Sequence, residues 1–420
     1  MAEPAGAEKR IFGVTRNVFA LGLTSLLNDL SSEVALKTIP FLLKNLLSTS
    51  VAFIGVIEGA AESTATLVKM LSGWLSDRMG RRKPLTLMGY GLAALTRPLL
   101  FLVRMLGSWW FVFGLRVTDR VGKGVRGAPR DALIADSCAK EERGHSFGFQ
   151  RAMDEFGSFS GFALAGLVIY LSLGWARDLN WGTYWWLVLL SVVTAAGAVT
   201  VLWVMVKEPR HEAKPAEEKA VRVEETTGAS SEPMGGVFWF FLVILVFFTL
   251  GNSADAFLLI DSQDLGVPLF VIFLVYGGTS ALAAITAIPA GKLSDVIGRK
   301  TLIVTGWTIY AGVYLAFALQ PRPWLAAVVL VIYGAYYGMT EGIYKAVVAD
   351  LVPASRRGLA YGFFNGAIGI GALPASVIAG LMWDHYVGGF HLPFFFGAVM
   401  AGLAVVLLLF LPLHKGPTQR

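Results

Sequence analysis

Asp119–Asp136 reads DRVGKGVRGAPRDALIAD, and inside it Gly122-Lys123-Gly124-Val125-Arg126-Gly127 spells GxGxxG. Behind a parallel strand, that pattern turns a chain around a pyrophosphate, with basic residues alongside. The apolar run Trp109–Leu115 could pass for the strand. The same residues can equally lie on one helix, with glycines where a neighbouring helix packs closely. The two readings give different folds, and the rest of the chain decides between them.

Composition favours the second. The chain has 420 residues, 55% hydrophobic and only 15% charged, against about 25% charged in an ordinary soluble domain. Mean hydropathy is +0.62. A soluble chain this apolar would expose hydrophobic surface that no core could absorb. Runs long enough to cross a bilayer recur at 16–43, 50–76, 84–106, 108–136, 147–172, 183–206, 236–261, 267–290, 300–319, 323–348, 359–383 and 392–412. Segments 1, 4 and 5 carry enough charge to score weakly on hydropathy. The stretch 119–136 is thus part of a fourth span, and no βαβ unit surrounds it as a dinucleotide turn requires.

Lys and Arg crowd one set of connections: Arg78, Arg81, Arg82 and Lys83; Lys140 and Arg143; Lys207 to Arg222; Arg299 and Lys300; Arg356 and Arg357. The opposite set carries little beyond Lys44, Arg104, Arg177 and Arg322. The positive-inside rule places both termini in the cytoplasm of a plasma (inner) membrane protein. The basic pI of 9.3 comes largely from these loops, so it speaks for topology and against a nucleic-acid partner. The opening MAEPAGAEKR has no signal-peptide pattern. The single Cys138 excludes an intrachain disulfide and reads as an inert small residue.

The spans divide six and six around a polar stretch, giving an N-terminal bundle at 1–206, a linker at 207–235 and a C-terminal bundle at 236–420. The halves match. Gly73-Trp-Leu-Ser-Asp77-Arg-Met-Gly80-Arg81-Arg82 returns as Gly291-Lys-Leu-Ser-Asp295-Val-Ile-Gly298-Arg299-Lys300. Ala135-Asp136, Arg143-Gly144 and Gly148-Phe149 return as Ala349-Asp350, Arg357-Gly358 and Gly362-Phe363, each 214 positions on (350 − 136). Duplicated six-helix halves are how many secondary transporters are built.

These paired loops resemble the signature of the major facilitator superfamily, over essentially the full chain. The resemblance implies an all-α membrane protein with twelve transmembrane helices in two pseudo-symmetric six-helix bundles. It also implies a conformational latch at Gly73, Asp77, Arg81 and Asp136, repeated at Gly291, Asp295, Arg299 and Asp350. Arg120 and Gly124 look like the family's helix-4 signature, with Lys123 where Gln is usual. On helix 5, Gly148, Gly157, Gly161 and Gly166 keep the spacing of the antiporter motif, but Phe162 replaces its Pro and Ala165 a Gly. Gly362, Gly366, Gly369 and Gly371 look like the corresponding seam on helix 11.

The charges within spans need partners or a water-filled cavity, since each costs about 2.5–3.5 kcal/mol or more at the bilayer centre. Arg116, Asp119, Arg120, Lys123, Arg126, Arg130 and Asp131 crowd one helix. Asp29 and Glu33 on helix 1, Glu58 and Glu62 on helix 2, and Asp154 and Glu155 on helix 5 can oppose them. In one reading these groups neutralise each other and stiffen the half. In the other, a carboxylate exchanges its basic partner for a proton during transport. The five histidines, 145, 211, 385, 391 and 414, lie near span ends or in loops, which leaves carboxylates to couple. Asp29 and Glu33 come first, then Asp119 and Asp154. Glu58, Arg116 and Lys123, with Asn252, Asp255, Tyr276, Tyr336, Tyr337, Glu341 and Lys345 of the second half, are the candidate substrate contacts.

The expected function is alternating-access transport without enzymatic activity or cofactor, by a monomer. The first hypothesis is proton-coupled export (antiport) of a small, partly apolar organic molecule. The alternative is proton-coupled symport of an anionic metabolite held by the Arg116–Lys123 cluster. Sodium, held by Asn28, Asp29 and Glu58, stays open as the coupling ion. A receptor or scaffold would bring an added soluble domain, and a metal carrier a Cys, His or Met cluster within the spans; neither is present.

Overall fold

The computed structural model describes residues 10–79, 82–139, 142–208, 234–353 and 356–412, except the side chains of 73–75, 77–79 and 295. Of the sequence expectations, Gly73, Asp77, Arg81, the Asp295 side chain, loop residues Arg78 and Lys140, and the linker core at 209–233 lie outside the described residues.

Thirteen helices account for nearly all of what is described. They are α1 (Arg16–Leu36), α2 (Val51–Met79), α3 (Lys83–Leu99), α4 (Trp109–Asp136), α5 (Arg143–Leu173), α6 (Trp181–Met205), α7 (Gly236–Gly251), α8 (Ala256–Asp264), α9 (Leu269–Ile297), α10 (Arg299–Ala318), α11 (Pro323–Leu351), α12 (Arg357–Leu381) and α13 (Leu392–Phe410). In lipid a backbone must satisfy its own polar groups, and helices do so along their whole length. Side chains finish the ends. Thr15 accepts from Val18 N at the start of α1, and Asn180 accepts from Thr183 N at 2.8 Å at the start of α6. Among the described residues, ten helical segments are long and apolar enough to cross a membrane. The fifth is among them, contrary to the weak score expected; α1 and α4 are not. Large apolar side chains are exposed on many helices, Leu171, Ile285 and Phe410 among them, as lipid-facing surfaces require.

The seventh span is broken. α7 stops at Gly251, residues 252–254 are non-helical, and α8 restarts behind Asp255. A second departure from the expected all-helical pattern is a two-stranded hairpin between α12 and α13, Tyr386–Val387 pairing antiparallel with Phe390–His391. Gly388 and Gly389 form its turn with φ of +60° and +85°, the left-handed pair that a tight hairpin turn demands. Gly298, with φ +92°, likewise turns α9 into α10.

The described residues fall into two compact units. One takes in those of Met1–Thr49, Leu67–Pro209 and Pro268–Gly277; the other those of Ser50–Thr66, Arg210–Val267 and Gly278–Arg420. In the first, α1 packs on α5 and α6, and α3 on α4 and α6. In the second, α7 packs on α12 and α13, and α10 on α11 and α13. These are the same four pairings, span for span. The starts of α2 and α9, which are also repeat-related, each belong to the unit of the opposite half.

Glycines set the closest approaches. A Cβ on Gly122 would lie 2.6 Å from Gly89 O, and one on Gly89 2.7 Å from Gly122 O. The first glycine of GxGxxG is therefore a contact between α3 and α4. On α5, Gly157 and Gly161 press against Leu26 and Leu30 of α1, whereas Gly148 faces open space. The α5 seam is real over two of its four positions, and Gly166 meets Leu274 of α9 instead. On α12, Gly369 and Gly371 meet Thr66 and Thr249, while Gly366 faces open space.

Candidate functional site

The first unit carries the charged interior. Arg97, one residue before Pro98 near the end of α3, is 1% exposed and reaches two other helices. Its Nη2 lies 2.9 Å from Asp119 Oδ1 on α4, and Nη2 and Nε donate to Ser32 and Ser31 of α1 at 3.1 and 3.2 Å. Arg116 Nη1 approaches the other Asp119 oxygen at 4.0 Å. Nothing in the charge pattern of α4 pointed to Arg97; a lone arginine inside an apolar span was the available signal.

Further along α4, Arg130 holds Asp154 of α5 at 3.7 Å and its own neighbour Asp131 at 3.0 Å. Gln150 also donates to Asp154 at 2.8 Å, and Arg126 lies over the Tyr90 ring at 4.4 Å. Asp119 and Asp154, two of the four coupling candidates, are thus both tied to arginines.

Asp29 and Glu33 differ. They stand four residues apart on α1. Asp29 accepts one hydrogen bond, from Asn28 Nδ2 at 3.0 Å. Neither has a basic group within ion-pair distance among the described residues, and Glu33 Oε2 is buried without a hydrogen-bond partner. One turn on, Lys37 lies 4.7 Å from the centre of the Tyr276 ring, which places Tyr276 in this unit and not with the other tyrosines.

The second unit carries tyrosines where the first carries charges. At the break between α7 and α8, Tyr333 and Tyr337 of α11 donate to Asp255 Oδ1 at 3.2 and 3.1 Å. Asn252 donates to Tyr336 at 3.4 Å. Tyr310 donates to Gly251 O at 2.9 Å, a carbonyl the interrupted helix leaves over. Tyr336 is buried amid Phe248, Tyr310 and Tyr333. The structure thus joins Asn252, Asp255, Tyr336 and Tyr337 around one helix break, while Glu341 and Lys345 are exposed on α11. Glu58 is buried in the segment of α2 that packs on α12. The expected substrate contacts therefore divide between units, Arg116, Lys123 and Tyr276 in one and the remaining seven in the other.

The latch positions are mirrored atom for atom. Arg82 pairs with Asp136 and donates to Ala132 O at 2.7 Å; Arg299 pairs with Asp350 and donates to Ala346 O. Lys83 donates to Trp203 O at the end of α6, and Lys300 to Leu409 O at the end of α13. In the first half Arg82, the neighbour of the expected Arg81, reaches Asp136, and Arg81 itself lies outside the described residues. The Glu208 carboxylate also accepts from Arg82 N and Lys83 N at 2.7 and 2.8 Å, where an anion complements the dipole of α3. Gly291 needs no small side chain for packing, since a Cβ there meets open space. No group of three or more His, Cys, Asp or Glu that could hold a metal exists among the described residues.

Two units that repeat one helix packing, with buried arginine–carboxylate pairs in one and a cluster of tyrosine hydroxyls in the other, define a multi-pass membrane carrier. The chain belongs to the major facilitator superfamily, whose family model matches residues 21–282 and 240–420. It is 30% identical over 411 residues to an MFS-type transporter of Methanocaldococcus jannaschii, covering 95% of each chain. It is 27% identical over 272 residues to the class D tetracycline resistance protein of Salmonella ordonez, covering 63% of this chain and 62% of that one. Among solved structures, a D-xylose–proton symporter superimposes with a TM-score of 0.73 at 17% identity, over 94% of this chain and 97% of the other. A nucleoside transporter gives 0.68 at 14%, over 93% and 98%. The protein is a transporter of small molecules in a membrane.

Proposed function

We propose that the protein exports a small, partly apolar organic molecule in exchange for protons, by alternating access, from a plasma (inner) membrane with both termini in the cytoplasm. One observation carries this: Asp29 and Glu33 share a face of α1 without a base in ion-pair range, while Asp119 and Asp154 are held by Arg97 and Arg130. A carboxylate within a membrane span and without a base beside it is costly to keep charged, and a proton or a cation arriving with the cargo relieves that cost. Asp29 and Glu33 are the coupling pair in this reading, with sodium the other candidate ion. The likeness to a protein named for resistance to tetracycline supports outward movement of an organic compound. Cargo contacts fall to Asn252, Asp255, Tyr336 and Tyr337. Alternating access requires the start of α2, where Gly59 sits against Leu373 of α12, and the start of α9, where Tyr276 packs on Phe162 of α5, to part from those partners.

A second reading draws on a different feature. Arg97, Arg116, Arg120 and Arg126 are all buried in the first unit, a concentration of guanidinium groups suited to a carboxylate or phosphate cargo. That reading makes the protein a proton-coupled symporter of an anionic metabolite.

Proteoliposomes with an imposed pH gradient, offered lipophilic organic cations, tetracycline and organic anions, separate the two. Under the export reading, D29N abolishes gradient-driven accumulation yet spares exchange of cargo across the membrane. Normal accumulation by D29N removes Asp29 from coupling, and gradient-driven uptake of the anions alone favours symport.

A further inference from the structure

We infer that Asp261 and His391 form a proton-binding site in the second unit, separate from α1, and that its proton straps the α12–α13 hairpin to the end of α8. Neither residue stands out in the sequence, because they are far apart in the chain and His391 lies in a short connection between spans. In the fold, Asp261 and His391 are 1% and 2% exposed.

The hydrogen bonds leave one proton to be shared. His391 Nε2 lies 2.6 Å from Trp383 O, a carbonyl that only accepts, so Nε2 carries hydrogen. Nδ1 lies 3.2 Å from Asp261 Oδ1. Gln320 Nε2 stands 3.2 Å from Nδ1, 3.3 Å from both Asp261 oxygens and 3.0 Å from Phe317 O. Its two hydrogens serve Phe317 O and the carboxylate, leaving none for Nδ1. An imidazole lone pair facing a carboxylate in a dry site would be repelled. One hydrogen therefore sits between Nδ1 and Oδ1, on whichever atom bears it. Tyr386 stacks on the ring at 4.8 Å and 15°, and Trp383 and Phe394 meet it edge-on at 4.8 and 5.3 Å, keeping water away.

The other groups facing the pair come from each neighbouring element. α8 adds Asp264 one turn on, and the hairpin adds Asp384 and the Tyr386 hydroxyl. His385 contributes its carbonyl to Leu392 N, the end of α10 only the neutral Gln320, and the first turn of α13 no charge.

The sign of the pH effect follows. Once the strap opens, an aspartate and a histidine in water at pH 7 and above hold essentially no proton between them, given an ordinary imidazole value of about 6.5. The closed strap thus binds one more proton than the open one, and rising pH favours opening by about tenfold per pH unit until the closed pair also loses its proton. Below about pH 6 the open imidazole is charged as well, and the dependence fades. α8 is nine residues long and follows the break at Asp255, so the strap holds one end of the segment whose other end carries the tyrosine-bound carboxylate.

Hydrogen exchange of the full-length protein in lipid nanodiscs, corrected for intrinsic exchange, tests this between pH 6 and 9. In the wild type, protection of the Tyr386–His391 amides falls about tenfold per pH unit above neutrality. D261N keeps the shape and donates from its amide to a neutral Nδ1, so the hairpin stays protected and the slope disappears. H391Q also removes the slope and serves if D261N does not fold. D29N leaves the slope unchanged, which separates this site from the coupling acids. A wild type with flat protection, or either strap variant retaining the slope, overturns the proposal.

Discussion

Replacing Arg97 with Met tests whether the charged interior is held together as the geometry implies. At 2.9 Å and an effective dielectric of about 20, the direct attraction between Arg97 and Asp119 is about 6 kcal/mol. Hydrogen bonds to Ser31, Ser32 and Thr96 go with it, each worth about 1 kcal/mol net. Desolvation of the two ions offsets most of that sum in the wild type. What the variant loses is compensation for Asp119, left with Arg116 at 4.0 Å. Removing one partner of a buried pair costs about 3–5 kcal/mol, or roughly two to four orders of magnitude in the unfolding constant. The assay is SDS-driven unfolding in mixed micelles, followed by tryptophan fluorescence. R97M/D119N, which leaves no uncompensated carboxylate, recovers most of the loss. Wild-type stability in R97M, or a double variant no better than the single, refutes the account of Arg97 as the group that neutralises Asp119.

Two further outcomes are expected. G122L forces a side chain into a site where even a Cβ lies 2.6 Å from Gly89 O; it costs about 1–3 kcal/mol or more in the same assay, whereas G148A, with open space around it, stays within about 0.5 kcal/mol of the wild type. Equal tolerance of both means α3 and α4 do not meet through Gly122. D350N costs under about 1 kcal/mol of stability, because the Asp350 side chain is 48% exposed and exposed pairs contribute little, but it slows cargo exchange in proteoliposomes; unchanged exchange rates would remove the pair from the conformational cycle.

The twelve spans and the duplication were legible because both are written locally, in runs of about twenty residues and in loops ten residues long. Hydropathy ranked α1 and α4 lowest for the reason that makes them interesting: their polar groups face other helices of the unit. The sequence also singled out the α1 carboxylates and the Asn252–Asp255 stretch, which the fold places on one face of α1 and at the break after α7. Long-range partners were not legible. Arg97 looks like an isolated charge until α1 and α4 are brought to it, and nothing local in the sequence pairs Arg82 with Asp136. The hairpin at 386–391 is too short for a periodic pattern, and only Gly388-Gly389 marks it. His391 looked like a residue at a span end, and its burial depends on Asp261, Gln320 and three aromatic rings from separate elements.

The two units bear on function through where the repeat persists and where it has diverged. The helix-end contacts coincide almost atom for atom: Arg82, Ala132 and Asp136 against Arg299, Ala346 and Asp350, and Lys83 on the last helix of its unit as Lys300 is on its own. These contacts fix where helices end and turn, a need both halves share. The interiors do not coincide. Span 4 carries Arg116, Asp119, Arg120 and Lys123, where span 10 offers Tyr333, Tyr336 and Tyr337. Span 1 is continuous through Asp29 and Glu33, where span 7 breaks at Asn252–Asp255. Packing alone gives no reason for such a difference, because the same four helix pairings hold both units together. Ionisable groups suit an ion that must bind and leave; tyrosine hydroxyls and aromatic faces gathered around one carboxylate suit an organic molecule that must be gripped. The proposed division of labour between halves, with coupling on α1 and recognition at the α7–α8 break, accounts for the divergence.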